Sequence, residues 1–163
     1  MYENTVNIST VERKMLDLVL AGAHHLAVFT LVALFAAEFV FLRPGIAGNR
    51  LLQLGKIDAA YGAFAGIVIV VGILRVIFGA AGWEYYVFNW VFWMKMAAFL
   101  AVGLLSARPT IAILGWRREA ATNPDFTPPD AQVRMLRHFV HAQALALFLI
   151  PLLAAAMARG YGA

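Results

Sequence analysis

Four apolar stretches constrain this chain more than any other feature of its sequence, because each is long enough to cross a lipid bilayer. A helix that rises about 1.5 Å per residue needs about 20 apolar residues to cross a hydrocarbon layer about 30 Å thick. We predict spanning segments at about 15–42, 57–79, 87–107 and 139–158. Of the 163 residues, 63% are hydrophobic and 13% are charged, so too few remain for a soluble core. The sequence therefore predicts one all-α domain over residues 1–163, a four-helix transmembrane bundle.

Local signals predict where two of these helices begin. Ser9 and Glu12 have the spacing of a capping box, which puts Ser9 at the N-cap and starts the first helix near Thr10. Thr127 followed by Pro128 predicts an N-cap and a proline at the first position of the fourth helix.

Two glycines predict a close helix contact in the second span. Gly62 and Gly66 have the small-xxx-small spacing that lets two helices approach each other closely in a membrane. We favour a contact within the chain, and the alternative is the seam of a homodimer.

The basic residues predict the orientation of the chain. The net charge is +4. On one side of the membrane, the basic residues near the ends of the spans are Arg13, Lys14 and Arg159. The other side has Arg43, Arg50, Lys56, Arg108, Arg117, Arg118, Arg134 and Arg137. The positive-inside rule then predicts a multi-pass protein of the inner (plasma) membrane with both termini outside. This pattern indicates contact with the lipid bilayer and its head groups, and not with nucleic acid.

Ionisable side chains inside the spans are the candidate functional residues, because a charged group is costly in hydrocarbon. Counted along the helices, one set lies in the outer half of the membrane and another lies near the cytoplasmic ends. The outer set is His24, His25, Arg75 and Lys95, and the inner set is Glu38, Arg108, His138 and His141. His24 and Glu38 lie within about 40° of each other around the first helix, so both are predicted to face the bundle interior.

These residue types indicate a haem b site. Neutral imidazole is the usual axial ligand of haem iron between apolar helices, so His24, with His25 beside it, is the candidate iron ligand. Arg75 and Lys95 suit the haem propionates or an anionic intermediate. His24 and His141 differ in depth by roughly 13 Å, and we do not expect them to bind one iron. The second ligand is then Lys95 or a water molecule, or the haem lies at a subunit interface.

Two further roles follow from the same residues. Lys95 and Glu38 are the predicted catalytic groups, and Glu38 with His141 forms a predicted proton path to the cytoplasm. His138 and His141 are spaced i, i+3 and share a helix face, so both are included among the candidate cofactor-binding residues.

Several of these residues also have a purely structural interpretation. A histidine at the end of a span, such as His138, is commonly an interfacial residue. Glu38 can form an ion pair with Arg43, and Arg75 can extend its charged end toward the membrane surface. Lys95 lies too deep for such an extension, which favours a functional role.

The chain resembles the HemJ-type protoporphyrinogen IX oxidases in three places. These are the helix at 18–44 with its early histidine, the Trp93-Met94-Lys95 sequence in the third helix, and the helix at 137–151. The resemblance implies a four-helix membrane protein that binds haem b and oxidises a porphyrinogen, with roles for His24 or His25 and for Lys95. The size and four-span layout are also similar to an uncharacterised bacterial family of predicted membrane proteins.

Two functional hypotheses follow. The leading one is a haem b redox protein that oxidises a porphyrinogen-like or quinol-like substrate, with a porphyrin or quinone as partner molecule. The competing one is a haem-free membrane subunit or scaffold that acts through basic helix extensions at 116–118 and 134–137. A colourless protein that copurifies with a partner would favour the second hypothesis.

Overall fold

Helices account for all the regular secondary structure in residues 10–162, the part of the chain that the computed structural model describes. They are α1 (Thr10–Phe41), α2 (Gly48–Phe78), the short α3 (Trp83–Val87), α4 (Trp90–Thr122) and α5 (Asp130–Ala158). Four of them, α1, α2, α4 and α5, are long and apolar enough to cross a membrane. The prediction of an all-α, four-helix transmembrane bundle is confirmed.

The helices extend beyond the predicted spans where the sequence becomes amphipathic. The second span was predicted from about residue 57, but α2 begins at Gly48. In its first turns Leu51 and Leu54 are fully buried while Arg50 and Lys56 are exposed. Mean hydropathy identifies the segment that lies within lipid. It misses these first turns, because only one of their faces is apolar and packs against the bundle.

The predicted start of the fourth helix is wrong by two residues. Its N-cap is Pro129, and α5 begins at Asp130, whereas we expected Thr127 as the cap. Pro129 has an extended backbone, and a proline also forces the preceding residue away from helical angles. The first helix begins at Thr10 as predicted, and the expected cap at Ser9 lies outside the described residues.

The bundle consists of two antiparallel hairpins, α1 with α2 and α4 with α5, which pack together mainly through α2 and α4. The loops at 42–47 and 123–129 lie at one end, which we call the loop end. The start of α1, the end of α5 and the α2–α4 connection lie at the opposite end, which we call the terminal end. At the loop end Arg137 donates a hydrogen bond to the Leu42 carbonyl (2.7 Å), which ties α5 to α1.

Packing is concentrated in the half of the bundle near the loop end. The residues that form this core come from all four long helices, and they include Leu31, Phe35, Leu42, Leu51, Leu54, Tyr61, Ile113, Trp116, Val133, Leu136 and Val140. Toward the terminal end, α5 buries no residue after Gln143, and α4 buries none between Val91 and Val102. The terminal half is therefore open to its surroundings, and large apolar side chains such as Phe148 (67% exposed) face lipid there.

The predicted contact through Gly62 and Gly66 within the chain is wrong. Both glycines are exposed, and a Cβ placed on either would meet nothing within 4 Å in the described part of the chain. The close approach on α2 occurs at Gly55, where a Cβ would overlap the side chain of Arg117 from α4. Sequence spacing identified a helix surface without telling which surface faces the partner helix.

Candidate functional site

Three basic side chains from three helices meet in the open, terminal half of the bundle. His24 of α1, Arg75 of α2 and Lys95 of α4 are half-buried, and we call them the basic cluster. The ring of His24 faces α2, because a Cβ on Gly72 would lie 3.5 Å from its Cε1. Arg75 follows Gly72 by one helical turn. The structure places all three within electrostatic reach of one another, and counting along the helices predicted His24 and Lys95 at one depth with Arg75 slightly shallower.

The basic cluster carries polar atoms without partners. The charges of Arg75 and Lys95 both act on His24, and the charge of Arg75 acts on Lys95. His24 Nδ1 and Arg75 Nε are buried without a hydrogen-bond partner. Within residues 10–162 no carboxylate forms an ion pair with Arg75 or Lys95. Uncompensated positive charge and unused N–H groups inside a membrane suit an anionic ligand.

Two aromatic groups border the basic cluster. The Lys95 amine lies over the ring of Phe92, 5.4 Å from its centroid, in the range of a cation–π contact. Tyr86 of α3 lies near enough to Arg75 to interact with its charge. Burial raises the pKa of the Tyr86 phenol, so its O–H group stays available as a donor. Both aromatic side chains border the basic cluster on the side nearest the terminal end.

His25 does not join the basic cluster, although it was a predicted cofactor-binding residue. Its side chain is exposed, and its Nδ1 hydrogen-bonds the Ala21 carbonyl one turn back on the same helix (2.7 Å). Its ring stands edge-on to that of His24, with 6.4 Å between the centroids. The two adjacent histidines thus have different surroundings, and only His24 faces another helix.

His138 and His141 lie at the loop end, away from the basic cluster. Both are exposed. His141 hydrogen-bonds the Arg137 carbonyl through Nδ1 and packs edge-on against Phe39, with 4.9 Å between ring centroids. The structure does not bring either histidine to His24, as the difference in depth predicted.

A second set of polar side chains lies inside the packed half of the bundle. It consists of Glu38 of α1, Asp58 and Tyr61 of α2, Thr110 of α4 and Gln143 of α5, and we call it the inner polar cluster. Thr110 donates a hydrogen bond to Asp58 Oδ1 (2.7 Å), and Gln143 Nε2 donates one to the Tyr61 hydroxyl (2.8 Å). The carboxyl of Glu38 interacts electrostatically with that of Asp58. Within residues 10–162 no ion pair joins Glu38 to Arg43 or His141, and the proton path through Glu38 and His141 stays a prediction.

Sequence reasoning missed Asp58 and Gln143. Asp58 stands at the start of the predicted second span, so the rule that selected Glu38 would also have selected it. Gln143 carries no charge, and only its position on the same level as Glu38 could have indicated it. The residues Lys95 and Glu38, predicted together as catalytic groups, belong to different clusters.

The basic cluster fits a haem b group that has one protein ligand. His24 offers an imidazole, Arg75 and Lys95 can pair with two carboxylates, and the lack of a side chain at Gly72 lets the ring lie close to α2. No group of three metal-binding side chains occurs in residues 10–162, so a non-haem metal centre has no comparable ligand set.

Two pockets lie elsewhere on the molecule. One of about 220 Å³ is at the terminal end, where Arg13 and Trp83 are part of its lining. The other, of about 290 Å³, lies between α4 and α5 and includes Arg108 and Met135. Neither has a histidine in its lining, so neither offers an imidazole for iron.

Comparison with known proteins places the chain in a family. The sequence model of the family described as "Predicted membrane protein (DUF2214)" matches residues 16–162. No curated protein and no solved structure matches the chain. The match supports the resemblance to an uncharacterised membrane-protein family, and the resemblance to HemJ-type oxidases is not confirmed. The chain is a multi-pass membrane protein that belongs to the DUF2214 family of predicted membrane proteins.

Proposed function

We propose that this protein is a membrane-embedded redox protein that binds b-type haem at the basic cluster, with His24 as the axial ligand. The observation that supports it most is the convergence of His24, Arg75 and Lys95 from three helices, with His24 Nδ1 and Arg75 Nε left without partners. An apolar macrocycle with two carboxylates and an iron atom complements these groups.

Each residue of the basic cluster has a distinct role in this proposal. Haem, when bound, supplies one-electron chemistry. His24 binds the iron, and Gly72 keeps α2 from filling the space beside the imidazole. Arg75 and Lys95 bind the propionates, which replaces the missing partner of the Arg75 side chain.

The open terminal half of the bundle suits an apolar reductant that arrives from the bilayer. Exposed apolar side chains on α4 and α5 border this half, among them Leu100 and Phe148. A quinol-like or porphyrinogen-like molecule could approach the basic cluster laterally from the bilayer. Lys95 would then accept or donate a proton of the substrate. Access through lipid supports an apolar class of substrate.

The adjacent histidines provide a matched test of the iron ligand. We expect the detergent-purified protein with added haem to show a Soret band, and we expect His24→Ala to lose or shift it. His25→Ala removes an equally large side chain from an exposed position and should leave the band unchanged. Equal losses in the two variants, or unchanged spectra in both, would show that His24 is not the ligand.

A haem-free subunit that acts through basic helix extensions is the second candidate. The pocket between α4 and α5, with Arg108 and Gln132 in its lining, favours it as a place for a partner. Two of the arginines, however, serve the fold itself, because Arg117 donates to the Gly55 carbonyl (3.3 Å) and Arg137 donates to the Leu42 carbonyl. Copurification of a partner that is lost in Arg108→Glu, from a colourless protein, would support this candidate.

A further inference from the structure

The inner polar cluster holds two carboxyl groups within the packed half of the bundle. Glu38 and Asp58 are 2% and 3% exposed, and their charges act on each other. Two carboxylates close together in an interior of low dielectric constant cannot both stay ionised unless a cation compensates each of them. The neighbours of each carboxyl therefore decide which one keeps its charge.

Asp58 has neighbours that stabilise a negative charge. Its Oδ1 accepts the hydrogen bond of Thr110, and the positive charge of Arg117 acts on it from α4. The guanidinium of Arg117 is held in place by its bond to the Gly55 carbonyl, one turn before Asp58 on α2. These two groups favour the ionised form of Asp58 and oppose its burial, which favours the neutral form.

Glu38 has no such neighbour. No ion pair and no side-chain hydrogen bond joins its carboxyl to any residue within 10–162. On α5, the Arg137 guanidinium lies over the Phe39 ring and bonds the Leu42 carbonyl, and His141 packs on Phe39. The charge that acts on Glu38 is the negative one of Asp58.

Gln143 supplies an acceptor that nothing in the described chain uses. The residue is fully buried, and its Nε2 donates to the Tyr61 hydroxyl, which interacts with the carboxyls of both Glu38 and Asp58. Its Oε1, in the same amide group, is buried without a hydrogen-bond partner. The inner polar cluster thus has an excess of oxygen acceptors, and a protonated carboxyl is a donor that would use one.

The geometry points to a proton-binding site in which Glu38 carries the proton and Asp58, which accepts the hydrogen bond of Thr110, stays ionised. The proton adds to the Glu38 carboxylate to give a neutral carboxyl, and it can exchange with water at the loop end, where α1 ends. No redox partner is needed, so this inference does not depend on haem. Glu38 would then be a proton donor and acceptor within the membrane.

A carbodiimide tests the inference directly, because it adds to a protonated carboxyl in an apolar site and not to a carboxylate. Full-length protein in liposomes would be treated with dicyclohexylcarbodiimide and mapped by mass spectrometry. We expect an adduct at Glu38 that disappears as the pH is raised and is absent from Glu38→Gln. Asp17 lies on the same helix as Glu38, and its carboxyl accepts a hydrogen bond from the Ala80 amide. The control variant Asp17→Asn should keep the adduct.

Three results would overturn the inference. The first is no adduct at Glu38 at any pH, and the second is an adduct at Asp58 in its place. The third is loss of the adduct in sodium chloride but not in choline chloride at the same pH, which would make this a sodium site. An infrared carbonyl band of a protonated carboxyl should also be present in the wild type and lost in Glu38→Gln, and a band that persists would contradict the assignment.

Discussion

Two clusters of polar side chains lie at different levels of the long helices. The basic cluster of His24, Arg75 and Lys95 lies in the open half of the bundle, and the inner polar cluster around Glu38 and Asp58 lies in the packed half. In both clusters, groups that would be costly in lipid therefore lie between helices. His25 is exposed, and it satisfies one ring nitrogen with a carbonyl of its own helix.

Gly72 should control access to the basic cluster. A leucine there would fill the space beside His24, since even a Cβ would lie 3.5 Å from the ring. We expect Gly72→Leu to lower haem affinity by roughly tenfold, the effect of losing about 1.4 kcal/mol of binding free energy. The measurement is a haem titration followed by absorbance.

Gly66→Leu is the matched control for that titration. A Cβ on Gly66 meets nothing within 4 Å in the described residues, and this helix surface is exposed. Its haem affinity should equal that of the wild type. If both leucine variants bind haem equally well, the space beside His24 has no part in the site.

Gly55 is the position on α2 that tolerates no side chain. A Cβ there would overlap Arg117 Cδ, so Gly55→Ala must displace the arginine and break its bond to the Gly55 carbonyl. Overpacking of this kind costs about 1–3 kcal/mol, and we expect a lower thermal midpoint in detergent. Gly62→Ala adds the same methyl group at an open position and should not lower it. Equal midpoints for the two variants would contradict this packing.

Side-chain depth could be predicted from the sequence, as could the inward direction of His24 and Glu38, but the neighbour that each side chain meets could not. Depth increases linearly along a helix, so counting residues was enough to place His24 and Lys95 at one level. The direction around the helix depends on which neighbour packs on which face. The small-xxx-small spacing of Gly62 and Gly66 therefore failed to predict a helix contact. Likewise, the sequence did not indicate that Asp58 is a neighbour of Glu38.

At the scale of whole helices, the start of α4 is fixed by one side chain. Asn89 is fully buried, and its Oδ1 accepts hydrogen bonds from the amides of Val91 (2.9 Å) and Phe92 (3.2 Å). Its Nδ2 donates to the Tyr161 carbonyl (3.1 Å), which ties the chain beyond α5 to the same point. One asparagine thus caps a spanning helix and anchors the far end of the described chain.

Loss of this cap should destabilise the protein measurably. We expect Asn89→Ala to cost about 0.5–2 kcal/mol, the usual range for an N-cap, with a lower thermal midpoint in detergent. Asn49→Ala changes an exposed asparagine near the start of α2 and should have little effect. A midpoint for Asn89→Ala that equals the Asn49→Ala value would contradict the capping role.

Long helices were predictable because the apolar runs exceed what a bilayer requires, but their ends depended on local chemistry. The start of α5 shifted to Asp130 because the backbone of Pro129 is extended. Asp130 nevertheless lies in the first turn, where its carboxylate also accepts a hydrogen bond from the Gly45 amide (2.9 Å). That contact with the α1–α2 loop could not be foreseen, since it depends on how the two hairpins pack.

At the scale of the whole molecule, the bundle is asymmetric across the membrane. The loop end is closely packed and carries the exposed arginines Arg43, Arg50, Arg118 and Arg134, while the terminal half is open. The positive-inside rule predicts that the loop end faces the cytoplasm. Ligands of the basic cluster would then come from the outer half of the bilayer.

The absence of native cysteines allows a clean test of this orientation. Asp125→Cys lies in the loop between α4 and α5, and Glu84→Cys lies in α3 at the terminal end, and both positions are exposed. We expect a membrane-impermeant maleimide to label Glu84→Cys in intact cells and to label Asp125→Cys only after lysis. The reverse pattern would mean that the loop end faces outward.

An absorption spectrum of the intact protein tests most directly whether this bundle binds haem b. Protein purified in detergent from haem-sufficient cells should show a Soret band that shifts on reduction with dithionite. A folded protein that stays colourless, and that gains no Soret band when haem is added, would contradict the proposal.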